Sequence, residues 1–133
     1  MMKSEKMEST ALLNKCILLI EDECMIQQII VEFLQEEGFH VVSLSNGQEA
    51  LNYLGSQTLY PSLILLDLMM PVMNGRVFRR EQLQNTRLAE IPVVFMTAGR
   101  ITQEDLDTLV PQAVIKKPID LDHFLETVNR FCS

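Results

Sequence analysis

From residue 15 onward the chain alternates between short unbroken apolar runs and longer segments whose apolar positions recur every three or four residues. The unbroken runs are Cys16-Ile-Leu-Leu-Ile20, Leu63-Ile-Leu-Leu66, Val93-Val-Phe-Met96 and Ala113-Val-Ile115, with a shorter Val41-Val42 and Leu44 after the first. Runs of this length, rich in Val, Ile and Leu, predict strands buried on both faces of a parallel sheet. Ile26, Ile29, Ile30, Phe33 and Leu34 form one stripe, with Gln27, Gln28, Glu32, Gln35 and Glu36 opposite, and predict a first helix that Gly38 ends in a left-handed turn. Ser45-Asn46-Gly47-Gln48 predicts a capped start to a second helix burying Ala50, Leu51 and Leu54. A loop over 68–75, marked by Pro71 and Asn74-Gly75, leads to a third helix starting near Arg76. Thr102 with Asp105 caps a fourth, carrying Leu106, Leu109 and Val110, and Pro111 stops it. Asp120 caps a fifth, whose stripe is Leu121, Phe124, Leu125 and Val128.

Strand followed by helix, five times over, predicts an α/β fold, because right-handed crossovers put helices on both faces of a parallel sheet. Residues 1–10 are polar and 1–14 read as a flexible leader, so the expected domain is 15–133. At 133 residues the chain is long enough for one core and too short for two ordinary domains.

In open parallel sheets, ligands bind beyond the carboxyl ends of the strands. The four strong runs each stop on a residue able to meet phosphate or metal: Glu21-Asp22, Asp67, Thr97 and Lys116-Lys117. Each has a plain alternative reading. Asp22 could cap the first helix and Asp67 the turn after its strand, Thr97 could be an ordinary β-branched strand residue, and either lysine could be solvated. Their joint occurrence at one end of the sheet points instead to a divalent metal and a phosphoryl group. Arg76, Arg79 and Arg80 read as a solvated basic helix face.

A net charge of −7 disfavours non-specific nucleic-acid binding, which depends on cationic side chains. No apolar stretch approaches the roughly 20 residues needed to span a bilayer, and the start lacks a secretory signal, so the expected location is the cytoplasm. Three cysteines without metal or redox spacing read as a core residue, Cys16, and two plain thiols, Cys24 and Cys132.

Leu-Ile-Glu-Asp-Glu (19–23), Leu-Leu-Asp-Leu-Met-Met-Pro-Val-Met-Asn-Gly (65–75), Val-Phe-Met-Thr-Ala (94–98) and Lys-Lys-Pro (116–118) resemble the signature segments of CheY-like receiver domains of bacterial two-component response regulators. The resemblance covers residues 15 to 131 and implies a doubly wound, flavodoxin-like five-stranded parallel sheet of order 2-1-3-4-5 with five flanking helices. It implies a regulatory phosphoacceptor rather than an enzyme acting on other molecules. Asp67 would take a phosphoryl group from a histidine kinase or histidine phosphotransfer protein, and the conformational switch would control a downstream protein. Mg²⁺ would be held by Asp22, Asp67 and the Met69 carbonyl, with Glu21 acting directly or through water; oxygen-rich donors suit that ion. Lys117, directly before the proline, would meet the phosphoryl oxygens, and Lys116 is the competing lysine. Thr97 would turn its hydroxyl onto the phosphoryl group. The phosphodonor would dock across the first helix near Cys24, Met25 and Gln28, where apolar Met25 lies at a helix end. A monomer or weak phosphorylation-dependent dimer is expected.

Three departures stand out. Val114 occupies a position that is usually aromatic in the family. Thr97 and Lys117 are 20 positions apart, slightly closer than in chemotaxis-type members. Met69 and Gly99 lie where the family tunes acyl-phosphate lifetime, and neither offers a polar group to orient water. The double-Met start and the end at Ser133 suggest a stand-alone receiver. An unphosphorylated receiver-like adaptor is the competing reading. A haloacid-dehalogenase-type hydrolase needs an aspartate where Met69 stands, and a dinucleotide-binding domain needs a glycine-rich turn absent after the first run.

Overall fold

The computed structural model describes residues 15–70 and 74–132. The expected 1–14 leader and part of the loop after the third strand lie outside them. Strands β1 (Cys16–Ile20), β2 (His40–Leu44), β3 (Leu63–Asp67), β4 (Val93–Thr97) and β5 (Ala113–Lys116) alternate with helices α1 (Cys24–Glu36), α2 (Gly47–Gly55), α3 (Gly75–Gln84), α4 (Gln103–Leu109) and α5 (Leu121–Phe131). All strand pairs are parallel, in the order β2-β1-β3-β4-β5, as expected.

Successive side chains of a strand point to opposite faces, so each unbroken apolar run feeds two cores. Leu18, Ile20, Ile64, Leu66 and Phe95 pack with Ala50, Leu54, Phe78 and Leu109 on the side of α2, α3 and α4. Ile17, Leu19, Leu65, Met96 and Ile115 pack with Ile30, Leu34, Phe124 and Val128 on the side of α1 and α5. With its strands covered on both faces, the sheet leaves its carboxyl ends free.

The caps are where the sequence places them. Asn46 accepts from Glu49 N–H, Thr102 and Asp105 form a reciprocal capping box, and Asp120 accepts from Asp122 and His123 N–H groups. Gly38, at φ 94°, follows α1 in the left-handed region. Gly75 starts α3 against the backbone of β3's last residues: a β-carbon there would lie 2.8 Å from Leu68 Cα, so only glycine lets the helix begin so close to Asp67.

Several expectations fail where side-chain reach decides burial. Val110 does not extend the apolar stripe of α4; it caps the helix at φ 42° and is 58% exposed. Ile29 is 53% exposed. Cys132 is buried in the α1–α5 core rather than being a plain thiol, and burial pushes it up to about 11. Cys16 is half-buried.

The basic face on α3 is also not solvated. Arg79 is buried: its Nε donates to Leu109 O (2.8 Å), Nη2 to Val110 O (2.9 Å) and Nη1 to Gln82 Oε1 (2.7 Å). Arg76, one turn earlier, makes a two-pronged pair with Asp105 at 3.1 and 2.9 Å. Arg76 thus holds the Asp105 carboxyl down at about 2. Arg80 alone is exposed as expected. Residues three apart share a helix face, so this spacing grips α4 at both ends.

Candidate functional site

β1 and β3 pair through Ile20 and Leu66, so the residues just beyond them emerge side by side. Glu21 and Asp67 are buried and Asp22 is half-buried; one carboxylate oxygen from each lies within 4.8 Å of the others. Asp22 does not cap α1. Glu23 holds that position, without a side-chain hydrogen bond, which removes the plain reading of Asp22. Asp67 does bind its turn, with Met69 N–H donating to Oδ1 at 3.0 Å, and its Oδ2 faces the lysine.

That lysine is Lys117. Ile115 belongs to the α1–α5 core and Val114 packs against the other, so strand alternation sends Lys117 back toward α1 and Lys116 away. Lys117 Nζ lies 2.8 Å from Glu21 Oε1 and 3.5 Å from Asp67 Oδ2, whereas Lys116 is exposed. The peptide bond from Lys117 to Pro118 is cis. Thr97 is buried at the end of β4, its hydroxyl accepting from Gly99 N–H at 3.0 Å.

Burial pushes the Asp67 carboxyl up to about 7, and the adjacent Glu21 carboxylate reinforces this against the Met69 N–H and Lys117. Burial lowers Lys117, but Glu21, Asp67 and Glu23 together raise it further, so the ammonium stays charged. Glu21 Oε1 is charge-paired to Lys117, yet this buried oxygen accepts no hydrogen bond in good geometry. Among the described residues, three carboxylates against one ammonium leave excess negative charge, and one oxygen remains under-satisfied. A hard divalent cation fits that donor set.

The description "response regulator receiver domain" matches residues 17–129. The chain belongs to this family. Among curated relatives, it is 34% identical over 122 residues to the transcriptional regulatory protein CrdR of Helicobacter pylori, covering 90% of this chain and 55% of that protein. It is 33% identical over 115 residues to the probable transcriptional regulator ycf29 of Pyropia yezoensis, covering 85% and 51%. The chain therefore spans about half the length of these relatives. Among solved structures, the response regulator protein TrrA from Thermotoga maritima, in complex with Mg²⁺-BeF, has a TM-score of 0.77 at 28% identity, covering 88% of this chain and 98% of that one. A receiver domain of a Syntrophus aciditrophicus histidine kinase has 0.79 at 26%, covering 89% of each. The receiver domain is a regulatory signalling module of two-component systems, and the acidic cluster is of the kind that binds a divalent metal. Among the described residues no helix is long and apolar enough to cross a membrane.

The residues expected to receive the phosphodonor, Cys24, Met25 and Gln28, are all exposed on α1, Met25 by 77%. Beside them lies a feature the sequence did not reveal, an apolar groove of about 270 Å³ between α1 and the segment after β5. Ile26, Ile29, Ile30, Pro118, Ile119 and Leu121 line it together with Lys117. In the sequence Ile29 reads as one more member of the buried stripe, which is why the groove is not legible there.

Proposed function

We propose that the domain accepts a phosphoryl group on Asp67 from the phosphohistidine of a histidine kinase or histidine phosphotransfer protein. The observation that carries this reading is the buried Asp67 carboxylate in a three-carboxylate cluster, 3.5 Å from the Lys117 ammonium. An Asp67 oxygen forms a bond to phosphorus while the phosphorus–imidazole bond breaks, its electron pair staying with the ring. The product is an acyl phosphate, a case of covalent carboxylate catalysis. Asp22, Asp67 and the Met69 carbonyl would hold Mg²⁺, with Glu21 acting directly or through water; bound there, the ion would neutralise the phosphoryl oxygens. Lys117 exchanges part of its pairing with Glu21 for the phosphoryl group and stabilises charge in the loose transition state. Thr97 releases Gly99 N–H and turns its hydroxyl to the same group, and this exchange switches the loop beyond β4. Met69 and Gly99 offer no polar side chain to orient water, which supports a modest hydrolysis rate.

Exposed Cys24, Met25 and Gln28 and the adjacent groove support docking of the phosphodonor on α1, beside Lys117. The switched state would then control a downstream protein in the cytoplasm, as a monomer or a weak phosphorylation-dependent dimer. Incubation with acetyl phosphate and Mg²⁺ should add one phosphoryl group by intact mass, and Asp67→Asn should abolish the addition. Equal labelling of the Asn variant would move the acceptor elsewhere. Absence of labelling in the unmodified chain would favour an unphosphorylated adaptor.

A further inference from the structure

We infer that Gln27 is a positioning residue for the acidic turn, locking the backbone from which Glu21 and Asp22 project. The inference rests on the metal-assisted reading of the site above. Gln27 lies in the first turn of α1, where its backbone N–H donates to Glu23 O at 2.9 Å. Its side chain turns back past the start of the helix. Nε2 donates to Glu21 O at 3.1 Å and to Leu44 O at 3.3 Å. Both partners are carbonyl oxygens, so the amide nitrogen must face them, and its two protons match two acceptors.

Leu44 is the last residue of β2, and Glu21 is the first beyond β1. Leu44 O also accepts from Glu21 N–H at 3.0 Å. One side chain therefore joins the ends of two strands to the first turn of a helix, and both peptide groups of Glu21 are held within that junction. The Glu21 and Asp22 carboxylates extend from this backbone toward Asp67. The Asp22 side chain is not the cap of α1, a position that Glu23 holds.

Mg²⁺ needs near-ideal octahedral geometry, so a small rotation of the Glu21–Asp22 peptide degrades the site. Loss of such outer partners weakens metal binding by about 10–100-fold. A plain structural role, satisfying two strand-end carbonyls, would lower stability while leaving the folded protein's metal affinity unchanged.

The test is Gln27→Met, which keeps the side chain's length and removes both donors. Mg²⁺ is titrated into the folded protein without phosphodonor, tracking amide NMR shifts of residues 21–23 and 67–69. Binding should weaken by about 10–100-fold, and exchange of the Glu21 amide should accelerate. An affinity within about twofold of the unmodified chain would overturn the positioning role, whatever the change in melting temperature. Should Gln27→Met fail to fold, Gln27→Asn carries the test: one methylene shorter, its amide is drawn back from both carbonyls, and unchanged Mg²⁺ affinity again overturns the inference. Failure of the unmodified chain to bind Mg²⁺ would sink the metal-assisted reading together with this one, whereas normal binding with an insensitive Gln27→Met sinks only the latter.

Discussion

At the scale of single residues, the two adjacent lysines separate by strand alternation alone. Both come after the same apolar run, yet Lys117 meets Glu21 and Asp67 while Lys116 faces solvent. Lys117→Ala should therefore retain Mg²⁺ binding and lose at least about tenfold in the rate of labelling by acetyl phosphate, since one charged donor to a transition state is worth several kcal/mol. Lys116→Ala should stay within about twofold by the same measure. Intact-mass time courses of both variants decide between them, and the reverse ranking would transfer the role to Lys116.

At the scale of elements, α3 links the acceptor strand to α4. Its first residue, Gly75, abuts the backbone at Asp67 and Leu68, and its Arg76 and Arg79 hold opposite ends of α4. Val110, a β-branched residue at positive φ, is an unusual helix end, and the Arg79 guanidinium bonds its carbonyl. Removing that buried donor leaves two carbonyls and the Gln82 amide oxygen short of partners. Arg79→Met should thus cost about 2–4 kcal/mol of unfolding free energy. Lysine should not rescue it, because one ammonium cannot reproduce the planar fork. Urea unfolding of Arg79→Met and Arg79→Lys checks this; a loss below about 0.5 kcal/mol would mean that α4 is held by packing and the Arg76–Asp105 pair without Arg79.

At the scale of the whole molecule, the chemistry and the apolar groove share one end of the sheet, so a partner seated against α1 would present its histidine near Lys117. Substituting Met25 and Gln28 together by Glu should slow phosphotransfer from a histidine phosphotransfer domain by tenfold or more while leaving acetyl phosphate labelling intact, because small phosphodonors do not need the docking face. Equal slowing of both reactions would trace the defect to the site and remove α1 as the docking face.

The succession of elements was legible in the sequence because it depends on local physics. Short unbroken apolar runs rich in Val, Ile and Leu favour strands covered on both faces, and Asn46, Thr102 and Asp120 cap helices through bonds to residues two or three positions away. That Glu21, Asp22, Asp67 and Lys117 would meet was legible for a related reason: in a parallel sheet, the residues just past each strand lie at the same end. Tertiary structure alone decided whatever depends on approach between distant segments. Arg79 looked like a surface charge until α4 came within reach of it, and Gln27 looked like the polar side of a helix until Leu44 lay beside it. Cys132 became core because α5 packs onto the sheet, and Ile29 stayed exposed because the segment from Pro118 to Leu121 leaves a groove beside it. Hydrophobic periodicity specifies which face of an element turns inward, but whether a long polar side chain finds a buried partner depends on distances between elements, which no local pattern encodes.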